Sequence, residues 1–235
     1  MLYPFFEVLT DAMTEKLFLM EFSKKYHYEE PQLPLLEAVA VSMQKKLRED
    51  NKKGLAGWNW KISDGALSGV SQGSILLEAC ITLGPGIDSL QEAYLQQELL
   101  TEAYMVETLA SELLLKAYPQ WNTWIREQLQ YGVRRFHFPG SAPDCKLEWI
   151  PAMLEHMQVP VRCTTAFCLL PKKSVVFYGE LADDCLVECR GICMDCGNQE
   201  CPNRMKTQMT SRQTDMASRP LPYGYQRIFS LEKPV

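Results

Sequence analysis

The sequence predicts an α+β (mixed α/β) fold, built as a single domain with a mixed, twisted sheet packed by a long helix and followed by a Cys-rich C-terminal segment. Three observations carry this. Leu35, Val39, Met43 and Leu47 recur every four residues, with Lys45, Lys46, Arg48 and Glu49 between them, as on an amphipathic helix. The run ILLEACITL, from Ile75 to Leu83, is short, apolar and closed by Gly84-Pro85-Gly86, as a buried strand would be. Two β-rich segments near the C-terminal third, Val161–Leu169 and Ser174–Tyr178, flank Pro171-Lys172-Lys173. The order helix, strand, helices, hairpin suits α+β better than a doubly wound sheet.

In chain order, the first helix is expected from Pro34 to Asp50, with Asn51–Gly54 ending it. The Gly- and Trp-bearing stretch from Leu55 to Gly73 has no clear period and reads as irregular or short-stranded. After the Ile75–Leu83 strand, Asp88-x-x-Gln91 forms a capping-box pattern, in which Asp accepts from early backbone N–H groups and Gln reaches back. A long helix follows, with Leu95, Leu99, Val106, Leu109 and Leu113 as apolar positions and Tyr118-Pro119 as its stop. A shorter helix is expected over Trp121–Tyr131, a loop at Phe138–Pro143, and another helix over Leu147–Met157. Val161, Cys163, Thr165 and Phe167 would share one strand face. The polar stretch Met205–Pro222 reads as a tail. The expected organisation is one domain over residues 1–205, including a Cys-rich segment at 185–204, and a polar tail at 206–235.

Composition narrows the function classes. The chain has 235 residues, with 24 Lys plus Arg against 29 Asp plus Glu, for a formal charge of −5. A nucleic-acid module would show a basic excess, so nucleic acid is not an expected partner. No apolar run is long enough to span a bilayer, so membrane partners are not expected either. The N-terminal MLYPFFEVLT lacks the basic start and small-residue cleavage site of a secretion signal, which points to the cytoplasm. Nine cysteines in such a compartment argue for metal or redox chemistry over disulfides. Five of them fall between Cys185 and Cys201.

Cys189-x3-Cys193-x2-Cys196-x4-Cys201-Pro202 brings four thiols close on a turn-rich segment. Thiolates at such spacing can converge on one metal centre, and the trailing Pro is reminiscent of iron–sulfur runs. Structural zinc more often uses two Cys pairs split by a longer loop. Iron–sulfur cluster, zinc and free thiols all stay open. Cys189, Cys193 and Cys196 also match the C-x3-C-x2-C of radical enzymes, but the strand-helix repeats of a barrel are missing.

Three further segments, in this order, resemble the reductive activation domain of cobalamin-dependent methionine synthase. They are Thr82-Leu83-Gly84-Pro85-Gly86-Ile87-Asp88-Ser89-Leu90, then Arg135-Phe136-His137-Phe138-Pro139-Gly140, then Thr164 to Val176 with Pro171 a few residues ahead of Ser174-Val175. The second is similar to the family's Arg, short spacer and Pro-Gly-Tyr, with Ser141 standing where the family has Tyr. Short stand-alone relatives also end in a Cys-x2-Cys-x4-Cys-Pro stretch, matched by Cys193, Cys196, Cys201 and Pro202. The resemblance spans roughly Ile75 to Arg204.

The resemblance implies an auxiliary subunit rather than a complete enzyme. It would serve a corrinoid-binding methyltransferase, or a methionine synthase lacking its own activation domain, whose cobalamin has been oxidised to the inactive cob(II) form. An electron from a donor and a methyl group from S-adenosylmethionine restore that cofactor. Cobalamin would enter only through the partner, since the carrier signature Asp-x-His-x-x-Gly is absent around His27, His137 and His156. S-adenosylmethionine would bind at Arg135, Pro139 and Gly140. The alternative is a metal- or iron–sulfur-bearing redox or scaffold protein that keeps the fold without binding S-adenosylmethionine.

Chemically, an Arg fork takes a carboxylate through two charged hydrogen bonds, and Phe136 or Phe138 offers a surface for adenine. A second candidate lies at Arg219-Pro220-Leu221-Pro222-Tyr223-Gly224-Tyr225, after the hairpin. Glu107 and Glu112 could meet an ammonium group, but a solvated helix face accounts for them equally. His137 reads as a packed loop residue, and Cys163 and Cys168 as hairpin core.

Overall fold

The structure is a computed structural model, describing residues 2–3, 7–63, 67, 70 and 74–189. Helices and a small antiparallel sheet give the expected α+β class. The elements in order are α1 (Glu7–Ala12), α2 (Lys16–Tyr26), a 3-10 turn Glu30–Gln32, α3 (Leu33–Lys52), β1 (Gly57–Ile62), β2 (Leu76–Thr82), α4 (Pro85–Gln96) and α5 (Leu100–Trp124). Then come a π turn Ile125–Leu129, β3 (Gly132–His137), a 3-10 turn Leu147–Trp149, α6 (Ile150–Met157), β4 (Arg162–Cys163), β5 (Leu169–Leu170) and β6 (Ser174–Ala182). The main sheet has the order β1-β2-β6-β3, and β4 and β5 pair by themselves. Two compact units interleave along the chain. The first holds Met1–Lys61, Glu78–Ala117 and Leu147–Phe177; the second holds Ile62–Leu77, Tyr118–Lys146 and the described residues from Tyr178 on.

In the first unit, α3 buries Leu36, Val39, Ala40, Met43 and Leu47. The seam starts at Leu36 rather than at the expected Leu35, because a 3.6-residue turn keeps 36, 40, 43 and 47 in line better than strict steps of four. Along β2 every residue is buried, Glu78 and Thr82 included, which is why the strand reads as a largely apolar run without alternation. Ile150, Met153, Leu154 and Met157 form the buried stripe of α6. The N-terminal helices went unseen in the sequence. There Phe22 gathers Phe18, Tyr26 and Tyr28 around it.

Several expectations are corrected. The long helix is two helices, broken at Gln97–Leu99. Leu95 and Leu99, expected inside, are exposed, whereas Val106, Leu109 and Leu113 are buried as expected. Tyr118-Pro119 does not stop α5, which carries Pro119 within it and runs to Trp124. Proline removes only one N–H, and continuing the helix past it keeps Trp121 buried in α5 and Ile125 buried at the start of the π turn, which outweighs the loss. The expected hairpin between Val161–Leu169 and Ser174–Tyr178 does not form. Arg162 and Cys163 pair instead with Leu170 and Leu169, and Ser174 onward joins the main sheet. Phe167, in the left-handed region, closes that tight turn, with its N–H donating to the Thr164 carbonyl. Cys163 is half-buried and Cys168 exposed, so neither is core. The expected tail at 206–235 lies outside the described residues.

Candidate functional site

Two of the resembling segments are stitched together in the first unit. The Leu83 N–H donates to the Lys173 carbonyl at 2.9 Å. The Ser174 hydroxyl lies 2.7 Å from that of Thr82. Asp88 accepts from the Lys172 N–H at 2.7 Å, so it does not cap its own helix as expected. Gln91, the other half of the expected capping box, donates instead to the Ala103 carbonyl and, at 3.1 Å, to Glu107. Lys173 ion-pairs with Glu107 and reaches the Ser111 hydroxyl at 3.1 Å. Burial pushes the Glu107 carboxyl up, but the Lys173 hydrogen bond and charge, with Gln91, bring it below its ordinary value. Glu112 takes Lys25 at 2.6 Å and the Tyr26 hydroxyl. Burial, and then the Glu112 charge, push that hydroxyl up to about 12. Glu107 and Glu112 are therefore structural anchors.

The Gly-Pro-Gly turn between β2 and α4 has its own logic. Helix N-termini carry unpaired N–H groups and attract anions. Here the anion is Asp50 of α3, whose carboxylate accepts from the Gly86 N–H at 2.6 Å. A Cβ at Gly84 or Gly86 would stand 2.6 or 2.7 Å from the Asp50 Oδ2. The glycines thus admit an internal carboxylate to the start of α4. Burial pushes the Asp50 carboxyl up, with the Gly86 N–H working against that.

In the second unit, Arg135 lies half-buried on β3, directly ahead of the turn that carries Pro139 and Gly140. Strands β3 and β6 run antiparallel, with Arg135 opposite Glu180, Phe136 opposite Gly179 and His137 opposite Tyr178. The register breaks between Val133 and Arg135, so Arg134 sits in a bulge. This puts the Arg134 Nε 3.7 Å from Glu180, while the His137 Nε2 lies 3.1 Å from the same carboxylate and the Ser74 hydroxyl donates to it at 3.3 Å. Glu180 is 2% exposed. A buried carboxylate is costly without such partners, so the cluster is an obligatory set. His137 is thereby a strand residue paired to a carboxylate, not a packed loop residue. Glu180 and its partners were missed in the sequence, although a lone Glu inside the apolar run Val175–Ala182 was the available signal.

The turn itself is closed. Gly140, at φ 86°, donates its N–H to the Cys145 carbonyl at 2.6 Å. The Ser141 N–H and hydroxyl both go to the Phe138 carbonyl. Pro139 has no N–H to give. Pro139 and Gly140 therefore shape the loop and have no spare backbone donor for a ligand. Phe138 is half-buried beside Tyr118 and Phe136, leaving an aromatic edge near the strand end.

Of the four expected metal ligands, Cys189 is buried, and its backbone is pinned. Its N–H donates to the Val133 carbonyl at 2.7 Å, and the Asn122 amide donates to its carbonyl at 2.7 Å. Cys193, Cys196 and Cys201 lie outside the described residues, as does Arg219. Among the described residues no group of three His, Cys, Asp or Glu side chains forms a metal site. Among them, too, no helix is long and apolar enough to cross a membrane. No protein-family model and no curated protein matches the chain.

Proposed function

We propose that the chain is an accessory protein for the S-adenosylmethionine-dependent reductive reactivation of a corrinoid methyltransferase such as methionine synthase. The observation that carries this reading is the junction of the first and third resembling segments. Thr82, Leu83 and Asp88 are hydrogen-bonded to Ser174, Lys173 and Lys172, so residues far apart in sequence form one built feature. Arg135, ahead of a glycine-shaped turn, supplies the cation that an amino-acid carboxylate needs. The partner is a corrinoid protein in the cytoplasm, and the electron comes from a separate donor.

Calorimetry with S-adenosylmethionine tests this. Wild type should bind, and Arg135→Ala should weaken binding by about ten- to hundredfold, the loss of a paired charged hydrogen bond. Loss with Arg219→Ala instead would move the site. No binding by wild type at millimolar ligand would overturn the reading.

One observation favours the alternative of a metal- or cluster-bearing redox scaffold. The backbone of Cys189 is tied on both sides, to Val133 and Asn122, which gives the cysteine run a rigid start. On that reading Cys189, Cys193, Cys196 and Cys201 hold one iron–sulfur cluster or zinc ion. Anaerobically purified protein should then carry about one centre per chain, and Cys196→Ser should bleach any visible absorption. Protein with neither iron nor zinc would rule it out.

A further inference from the structure

The break between α4 and α5 leaves large apolar side chains in solvent, one of which, Tyr104, has its ring edge-on to Tyr28. Helix α4 ends with the Glu98 N–H donating to the Leu95 carbonyl and the Leu99 N–H to that of Tyr94, with Glu98 left-handed at φ 60°. This double closure is a Schellman end, in which glycine is the usual left-handed residue. Around it Leu95 is 49% exposed, Leu99 36%, Leu100 67% and Tyr104 56%. Leu100 and Tyr104 lie one turn apart on α5 and share a face. Four large apolar side chains within ten residues make a concentrated patch, of the kind that marks an interaction site.

Its charge says what fits. From Ser89 to Leu115 there is no Lys or Arg, while Glu92, Glu98, Glu102, Glu107 and Glu112 fall in that span. Glu107 and Glu112 are taken by Lys173 and Lys25. Glu92 and Glu98 remain exposed beside the leucines, whereas Glu102, two residues from both Leu100 and Tyr104, lies on the other side of α5 and is half-buried. A second copy of the same patch would set Glu92 and Glu98 against their own kind, and an anionic membrane would be repelled likewise.

We propose that the α4–α5 elbow is a docking surface for a basic amphipathic protein helix, with leucines seated between Leu95, Leu99, Leu100 and Tyr104 and lysines or arginines facing Glu92 and Glu98. This is independent of the S-adenosylmethionine reading, since Arg135 and its turn take no part.

The probe is a labelled amphipathic peptide of about 18 residues, long enough for five helical turns, with leucines on one stripe and lysines on its flanks. A counterpart carries glutamates for the lysines. Fluorescence anisotropy with the full chain should show binding of the lysine peptide, weakening with salt, and none of the glutamate peptide. Leu99→Ser with Leu100→Ser should cost roughly tenfold or more in affinity, and Glu92→Gln with Glu98→Gln should remove most of the salt dependence. Glu21→Gln with Glu37→Gln, exposed acids on α2 and α3, should leave binding unchanged. All these substitutions are at surface-accessible positions, and circular dichroism checks that each variant keeps its fold. Equal loss in the Glu21/Glu37 control, no loss in the leucine variant, or no binding by wild type overturns the proposal. Binding of the chain to phosphatidylglycerol vesicles through the same leucines also overturns it, in favour of a membrane surface.

Discussion

At the scale of single residues, the informative positions are those where a side chain or its absence is forced. Gly84 has φ 82°, which costs any residue with a Cβ, and its Cβ would lie 2.6 Å from the Asp50 carboxylate. Gly84→Ala should therefore destabilise the chain by about 2 kcal/mol or more, measured by urea unfolding, since strain and collision act together. A change below about 0.5 kcal/mol would mean that the turn relaxes freely and that Asp50 is not confined there. The sequence showed this turn as a strand stop followed by a capping box, which placed the turn well and its chemistry wrongly. Asp50 lies thirty-six positions before Gly86, and no local pattern announces a carboxylate that arrives from so far away. Glu180 was hidden for a similar reason. Its partners Ser74, Arg134 and His137 converge only once the strands are paired.

At the scale of elements, helices α3 and α6 were readable because each buries a face that leaves its period in the sequence, and β2 because it is buried along its whole length and so reads as a short, largely apolar run. The α4–α5 break was not readable. A helix end is ordinarily flagged by glycine, and here Glu98 occupies the left-handed position. Leu95 and Leu99 also continued the apolar period across it, although both face solvent. An L-residue in the left-handed region carries a cost that glycine avoids, partly offset by the entropy glycine loses on folding. Glu98→Gly should therefore stabilise the chain by about 0.5–1 kcal/mol. Equal or lower stability in the glycine variant would show that the Glu98 side chain makes a compensating contribution at the elbow.

At the scale of the whole molecule, α+β composition was legible in the order of apolar patterns, whereas the strand partners were not. Pairing β4 with β5, and passing β6 into the main sheet, is a long-range choice made by burial of Val176 through Ala182 rather than by the Pro171-Lys172-Lys173 turn. The same long-range placement sets the acid response. Glu107 has its carboxyl held below its ordinary value, so the stability it contributes is present above that value and is lost as pH falls through the lowered one. Asp50 has the opposite sign. Its carboxyl is raised, so the folded chain keeps a proton that the unfolded chain gives up, and stability declines as pH climbs from the ordinary value to the raised one. The two slopes oppose each other in the carboxylate range, and substitution separates them. Glu107→Gln should lower stability near neutrality by about 0.5 kcal/mol, small because the side chain is partly solvent-screened, and the deficit should close towards about pH 3. Asp50→Asn keeps an acceptor for the Gly86 N–H without burying a charge, so its stability relative to wild type should rise as pH climbs from the ordinary carboxylate value to the raised one. Urea unfolding of both variants at several pH values reads the two slopes directly. A Glu107→Gln deficit that is constant with pH would mean that Lys173 and Glu107 contribute by packing rather than by charge, and a flat Asp50→Asn difference would mean that Asp50 titrates alike in the folded and unfolded chains.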